Sequence, residues 1–274
     1  MFRKADPDVQ IKTPEQIAKM RAAGQVVARA LDALRAAVRP GVSTLELDSV
    51  AEKVIRDAGA IPSFKGYHGF PGSICASVNE EVVHGIPSAD RVLSDGDIIS
   101  IDCGAILDGW HGDSAVTLAV GQARTEDLAM MEVCEESMWQ GIAAMVPGGR
   151  LGDIGYAIAG HIAENGGYGN VREYGGHGIG TQMHMDPHVL NYGKRGKGMR
   201  LREGMCLAIE PMTTIGEHHV VELDDGWTVV TRDGGRAAHF EHTVAITAQG
   251  PMVLTAREDN RDKITQMGFV QPTW

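Results

Sequence analysis

Cysteine is scarce and unpatterned in this 274-residue chain: Cys75, Cys103, Cys134 and Cys206 lie far apart, with no CxxC pair. That excludes a disulfide framework, and a reducing cytoplasm is the expected compartment. Long apolar runs are missing too, since nothing approaches the roughly 18 consecutive apolar residues of a membrane span. The opening residues, MFRKADPD, carry basic side chains with no apolar stretch behind them, so no secretory signal is read there. Positive charge is in deficit: 25 Lys and Arg stand against 36 Asp and Glu. The net charge of −11 repels phosphate and disfavours sequence-independent nucleic-acid binding. Prolines are few, 11 against 35 glycines, which points to tight turns and close backbone approaches instead of a collagen-like repeat. What is present is ordinary for a globular protein, 43% hydrophobic and 22% charged, so wholesale disorder is excluded. The length suits one large domain or two small ones, and a single domain spanning 1–274, with a short lead at 1–12, is expected. The chemical anomaly is 11 histidines, most of them in the second half.

Two capping boxes open the chain. Thr13-Pro14-Glu15-Gln16 begins a helix whose apolar residues recur through Ile17, Met20, Ala23, Val26, Val27, Ala30, Leu31 and Leu34, ending at Pro40-Gly41. Ser43-Thr44-Leu45-Glu46 begins a second, with Leu47, Val50, Ala51, Val54 and Ile55 on one face and an end near Gly59. Strand-like runs follow at Ser73 to Asn79, Asp97 to Ile106 and Ser114 to Val120, with a hairpin expected at Leu107-Asp108-Gly109-Trp110. The pattern then restarts with helices from Thr125 to Met145 and Leu151 to Glu164, followed by more strands. Pro40-Gly41 aligns with Pro147-Gly148, and the run ending in Asp102 aligns with the run ending in Glu210. His84-Gly85-Ile86 resembles His177-Gly178-Ile179, and Asp113 with Val116 and Leu118 resembles Glu241 with Val244 and Ile246. The wider offset of that last pair fits an inserted hairpin around Asp225-Gly226-Trp227. Four matches in one order predict a duplicated chain with internal two-fold pseudosymmetry.

The duplicated positions carry the chemistry. In each half an apolar strand ends in a carboxylate, Asp102 or Glu210, and a second carboxylate, Asp113 or Glu241, heads a later strand. A carboxylate in an apolar strand is costly unless something pairs with it. Pseudosymmetry would bring all four together, where they repel one another unless cations sit between them. Two divalent ions would neutralise four carboxylates. His177, in the glycine-rich run Tyr174 to Gly180, can add a nitrogen ligand. Oxygen ligands with one imidazole suit Mn, Fe, Co or Zn. His111 shares a strand face with Asp113, but nothing else assigns it as a ligand, and Cys103 is expected in the core. His161, His188, His218 and His219 sit in helical or loop contexts without partners and read as ordinary.

The segments Ser77 to Pro87, Ile101-Asp102, His111-Gly112-Asp113, Gly176 to Gly180, Met205 to Pro211 and Phe240 to Thr243 resemble type I methionine aminopeptidases, in that family's order, from Ile11 to Ala256. The resemblance implies an α/β pita-bread fold, pseudosymmetric halves with antiparallel sheet flanked by helices. It implies two divalent ions (Co, Mn, Fe, Zn or Ni) held by Asp102, Asp113, His177, Glu210 and Glu241, with Asp113 and Glu241 bridging. It further implies that His84 lies near the substrate amine, that His184 hydrogen-bonds the scissile carbonyl, and that Glu210 moves the proton. The methionine pocket implied comprises Tyr67, His68, Phe70, Cys75, Met183 and Trp227. Two positions depart from the family: Met183 stands where an aromatic is usual before the second histidine, and Met185 where an acidic residue is usual after it. No cysteine-rich extension of the kind some eukaryotic relatives carry is present in the sequence.

The implied function is hydrolytic removal of the N-terminal methionine from newly made proteins, with a small second residue and an unformylated amine. The partner expected is the N-terminal peptide of nascent chains, with transient ribosome association, no nucleic acid or membrane partner, and a monomeric enzyme. Three alternatives compete. A prolidase or proline-specific aminopeptidase shares the fold and ligands but typically has an extra N-terminal domain. A metal-free binding homologue generally loses some ligands, whereas all five are present here. A mononuclear iron oxygenase needs two histidines and one carboxylate, which four carboxylates exceed.

Overall fold

The computed structural model describes residues 9–272, so residues 1–8 of the expected lead lie outside it. Residues 9–12 are not a free lead. The Lys12 amide donates to the Gly204 carbonyl at 2.8 Å, and Gln10 bonds Thr181.

Both capping boxes form. In α1 (Pro14–Ala37) the Thr13 hydroxyl accepts from the Gln16 amide while the Gln16 side chain accepts from the Thr13 amide. Ser43 and Glu46 do the same for α2 (Thr44–Asp57). The rest of the first half is β1 (Ile61–Pro62), β2 (Ile74–Val78), β3 (Glu81–Val83), β4 (Ile98–Leu107) and β5 (Trp110–Ala119). Between the last two, Asp108 and Gly109 take φ of 49° and 78°, the left-handed pair that a two-residue hairpin needs.

The second half repeats the order: α3 (Thr125–Ala143), α4 (Leu151–Glu164), β6 (Gly169–Asn170), β7 (Gly176–Gly178), β8 (Met185–Val189), β9 (Cys206–Ile209) and β10 (Met212–Thr214). Then come β11 (Val220–Glu222), β12 (Val229–Thr231), β13 (Ala237–His239), β14 (His242–Thr247), β15 (Gly250–Val253) and α5 (Arg261–Gln266). In one half β4 lies between β2 and β5; in the other β9 lies between β7 and β14, every pairing antiparallel. The duplication read from the sequence is therefore a duplication of sheet order. One alignment fails. His177 sits within β7, the counterpart of β2, whereas His84 follows β3 outside any strand, with φ of 61°.

The halves join along one seam. Ala115 of β5 and Glu241 exchange backbone hydrogen bonds at 3.3 and 3.0 Å. The inserted hairpin, β11 and β12, pairs across to β3, so a second-half insertion covers a first-half edge. Helices pack outside: α1 on β5 and β4, α3 on α4 and on β9, β10 and β13. The largest core cluster is mostly aliphatic and runs through both halves, from Leu31 and Ile101 to Leu207 and Ile246. Among the described residues no helix is long and apolar enough to cross a membrane.

Candidate metal centre and peptide cleft

Strand register explains how the carboxylates meet. Asp113 lies opposite Gly104 in the β4–β5 ladder, and Asp102 is two residues from Gly104, on the same face. Glu241 lies beside Ala115 across the seam, two residues along β5 from Asp113. Glu210 follows β9 directly, and its backbone carbonyl accepts from Asn191 Nδ2 at 3.0 Å. His177 comes from β7, on the other edge of β9. Ligand atoms of Asp113, His177 and Glu241 lie within 4.8 Å of one another. Glu210 Oε1 is 3.5 Å from His177 Nε2.

This cluster is unbalanced as a protein-only arrangement. Asp102 Oδ1, Asp113 Oδ1 and Glu241 Oε1 are buried and have no hydrogen-bond partner. Burial pushes the Asp102 carboxyl up to about 7 and Glu210 up to about 8. Burial first, then the neighbouring carboxylates, drives Asp113 and Glu241 well above the ordinary range. Desolvation drives His177 the other way, down to about 3, so it offers a neutral imidazole. Orphaned acceptor oxygens around a neutral imidazole form a donor set that fits divalent cations.

The cluster lies in a cleft of about 530 Å³. Tyr67, Phe70, Cys75 and Trp227 line it, and Phe70 meets the Trp227 ring edge-on with centroids 5.1 Å apart. Two residues expected in the pocket are not among those lining it. His68 is exposed, packed edge-on against the Tyr67 ring, and its φ of 46° carries it round a tight turn. Met183 is buried one layer behind, among Phe64, Phe70, Cys75 and Trp110. Gly104 makes room for it, since a Cβ at Gly104 would stand 2.8 Å from Met183 Cε and 2.9 Å from Ser63 Cβ.

His84 and His184 also face the cleft. Burial lowers His84 to about 4, and its left-handed backbone marks local strain of the kind concentrated at functional sites. The Tyr67 hydroxyl meets His184 Nδ1 at 2.8 Å, which leaves Nε2 for another partner. His111, left unassigned from the sequence, is buried with Nδ1 3.1 Å from Ser63 Oγ and does not line the cleft.

Several lining residues are given no site role by the sequence: Phe64, Val83, Glu173, Tyr174 and His188. His188 is not an isolated loop residue, because it faces His177 in the β7–β8 ladder. Nor are the other three histidines unpartnered: His161 Nδ1 faces Asn165, the C-cap of α4, the His218 and His219 rings lie 4.1 Å apart, and His219 stands 3.6 Å from Glu173. Tyr174, which meets the His84 ring edge-on, was findable as the aromatic opening the glycine-rich run. His239 is buried with Nε2 3.6 Å from Glu210 Oε2, and no sequence pattern marks it.

Residues 18–248 match the family model described as metallopeptidase family M24. A Mycobacterium tuberculosis protein named methionine aminopeptidase 1 is 58% identical over 241 residues, 86% of this chain and 91% of its own. A Bacillus subtilis protein of the same name is 54% identical, covering 89% and 98%. Among solved structures, methionine aminopeptidase from Thermotoga maritima aligns with a TM-score of 0.89 at 43% identity, over 91% of this chain and all of that one. Prolidase from Pyrococcus furiosus aligns at 0.73 and 25%, over 90% of this chain but 66% of its own. The pita-bread fold is common to both kinds of neighbour.

Proposed function

This chain belongs to metallopeptidase family M24 and, within it, to the methionine aminopeptidases, and from that membership we propose that its single catalytic domain excises N-terminal methionine from newly made proteins. The observation that carries this reading is the group of three orphaned carboxylate oxygens beside a neutral His177 at the floor of an aromatic-walled cleft. The prolidase alternative is less supported, since the prolidase neighbours are more distant in sequence.

Asp102, Asp113, His177, Glu210 and Glu241 are the residues that hold divalent ions. When bound, such ions supply positive charge that acidifies water and polarises the scissile carbonyl. Glu210 accepts the attacking water's proton and returns it to the leaving nitrogen. His184, its Nδ1 engaged by Tyr67, donates Nε2–H to the oxygen that gains charge. His84 and the carboxylate cluster select a free α-amine, so a formylated terminus is refused. Tyr67, Phe70, Cys75 and Trp227 take the methionine side chain, and Met183 backs that wall. A bulky second residue is refused because crowding beside His84 pulls the carbonyl off line, and small misplacements cost large factors in rate.

The setting proposed is the cytoplasm, and the enzyme a monomer. The exposed loop between β8 and β9 carries Lys194, Arg195, Lys197, Arg200 and Arg202 in an otherwise acidic chain. That loop supports a transient, salt-sensitive contact with the polyanionic ribosome.

The test is competition between Met-Ala-Ser, Met-Lys-Ser, Leu-Ala-Ser and Ala-Pro after chelation and reloading with single divalent metals. Metal-dependent cleavage of Met-Ala-Ser above the others is expected. Preference for Ala-Pro would install the prolidase reading, and full activity without metal would overturn the metal site.

A further inference from the structure

His239 takes no part in the hydrolysis just described, yet both of its backbone polar groups are held by one threonine. It ends β13 and is 1% exposed. Its amide donates to Thr117 Oγ1 at 2.8 Å, and that hydroxyl donates back to the His239 carbonyl at 2.9 Å. Ser100 Oγ lies 2.9 Å from the same hydroxyl. These contacts fasten His239 to β4 and β5, the strands that carry Asp102 and Asp113. The ring nitrogen Nε2 has no hydrogen-bond partner, although it is fully buried. The acceptor facing it, at 3.6 Å, is Glu210 Oε2. The other oxygen of the same carboxylate, Oε1, faces His177 Nε2 at 3.5 Å. The two oxygens of Glu210 are thus divided between two histidines, His177 and His239.

We propose that His239 is a positioning residue for Glu210: its Nε2–H takes up Oε2, the oxygen that does not face His177, leaving Oε1 as the ligand and fixing the carboxylate plane. A buried ring nitrogen is unfavourable without a partner, and a carboxylate free to rotate presents either oxygen to a cation. One hydrogen bond removes both faults. Support of this kind, one layer behind a ligand, raises metal affinity because the ligand no longer has to be ordered when the ion arrives. The inference rests on the metallopeptidase reading.

The experiment uses the full chain with three substitutions. H239L removes the donor, H239N keeps polarity on a stem too short to reach, and H239Q carries an amide N–H to about the same place. Each protein is stripped by chelator, its melting temperature is compared with wild type, and Mn²⁺ is titrated by calorimetry. Steady-state kinetics on Met-Ala-Ser follow. Removal of the outer support is expected to weaken Mn²⁺ binding about 10- to 100-fold in H239L and H239N, with H239Q within about threefold of wild type. kcat should follow the same order, and KM should move little. Wild-type Mn²⁺ affinity in H239N or H239L overturns the proposal. So does a folded H239Q as impaired as H239N, because that is the mark of simple packing. Wild-type protein that binds no Mn²⁺ overturns the metal site itself and this proposal with it, whereas the ratios among variants overturn the proposal alone.

Discussion

The hydroxyl of Thr243 accepts a hydrogen bond from the Asp113 amide at 3.1 Å and donates one to the Asp113 carbonyl at 2.8 Å. A residue of the second half thereby holds both backbone polar groups of a first-half carboxylate. Thr243 is fully buried, and its own amide is held by Thr255 Oγ1.

Thr243→Val keeps the shape and removes that clamp. The Asp113 amide and carbonyl lose this partner, at a cost of about 1–3 kcal/mol, and divalent-metal binding weakens because Asp113 is no longer fixed. Thr243→Ser should keep both hydrogen bonds and most of the affinity. Chelated melting temperatures and a Mn²⁺ titration check this; equal metal affinity in the valine and serine variants would refute it.

Metal-free protein should lose stability as pH rises through neutrality. Asp102 at about 7 and Glu210 at about 8 are raised above their unfolded values, so the folded state keeps protons that the unfolded chain releases. Their contribution is complete at low pH and is lost as pH climbs through 7 to 8. His177 at about 3 and His84 at about 4 work in the opposite sense, adding stability as pH rises toward 6.5. The carboxylate signature is therefore read above pH 6.5. Melting curves with chelator and with Mn²⁺, between pH 6.5 and 8.5, should diverge as pH rises; a constant gap would count against the cluster.

Glu210→Gln retains the side-chain volume and one possible ligand oxygen while deleting the proton acceptor. Turnover on Met-Ala-Ser should fall about 10²- to 10⁴-fold, with metal content measured on the same sample so that loss of the ion is separated from loss of the base. A fully metallated variant with near wild-type kcat would remove Glu210 from proton transfer.

Gly104 and Met183 should behave as a coupled pair. The methyl group of Gly104→Ala would stand 2.8 Å from Met183 Cε and 3.0 Å from Phe64 Cε1. The flexible Met183 has to give, and the wall it backs moves inward. KM for Met-Ala-Ser should rise severalfold, and Met183→Ala in the same chain should restore part of it. Additive effects in the double variant would mean that the two residues do not share one space.

Local grammar was legible in the sequence because it depends on neighbours: both capping boxes, the Asp108-Gly109 turn and the hairpin around Gly226 are set within a few residues. The duplication was legible where strands correspond, as with Asp102 and Glu210. It misled at His84, where a short histidine-glycine match fell on elements of different kind. The supporting residues were not legible. Thr243 acts across the seam, where the register of β5 against Glu241 brings it to Asp113, and His239 reaches Glu210 from the end of β13, far along the chain. Met183 looked like a pocket residue from its neighbour His184. Burial behind Phe64 and Phe70 is a property of packing that spacing does not reveal.

The seam also fixes when this protein can begin to work. Ala115 has no partner for its backbone until Glu241 reaches it, and β3 waits for β12 from the far side of the chain. Contacts between segments so far apart close late, because the entropy of the intervening loop must be lost before they form. At synthesis rates of about 5–20 residues per second, the first half spends several seconds without its counterpart. During that interval Asp102 and Asp113 are carboxylates on an unfinished sheet, without His177, Glu210 or Glu241. The first half alone thus offers two of the five groups that the finished seam gathers, and the set is complete only when Glu241 pairs with Ala115.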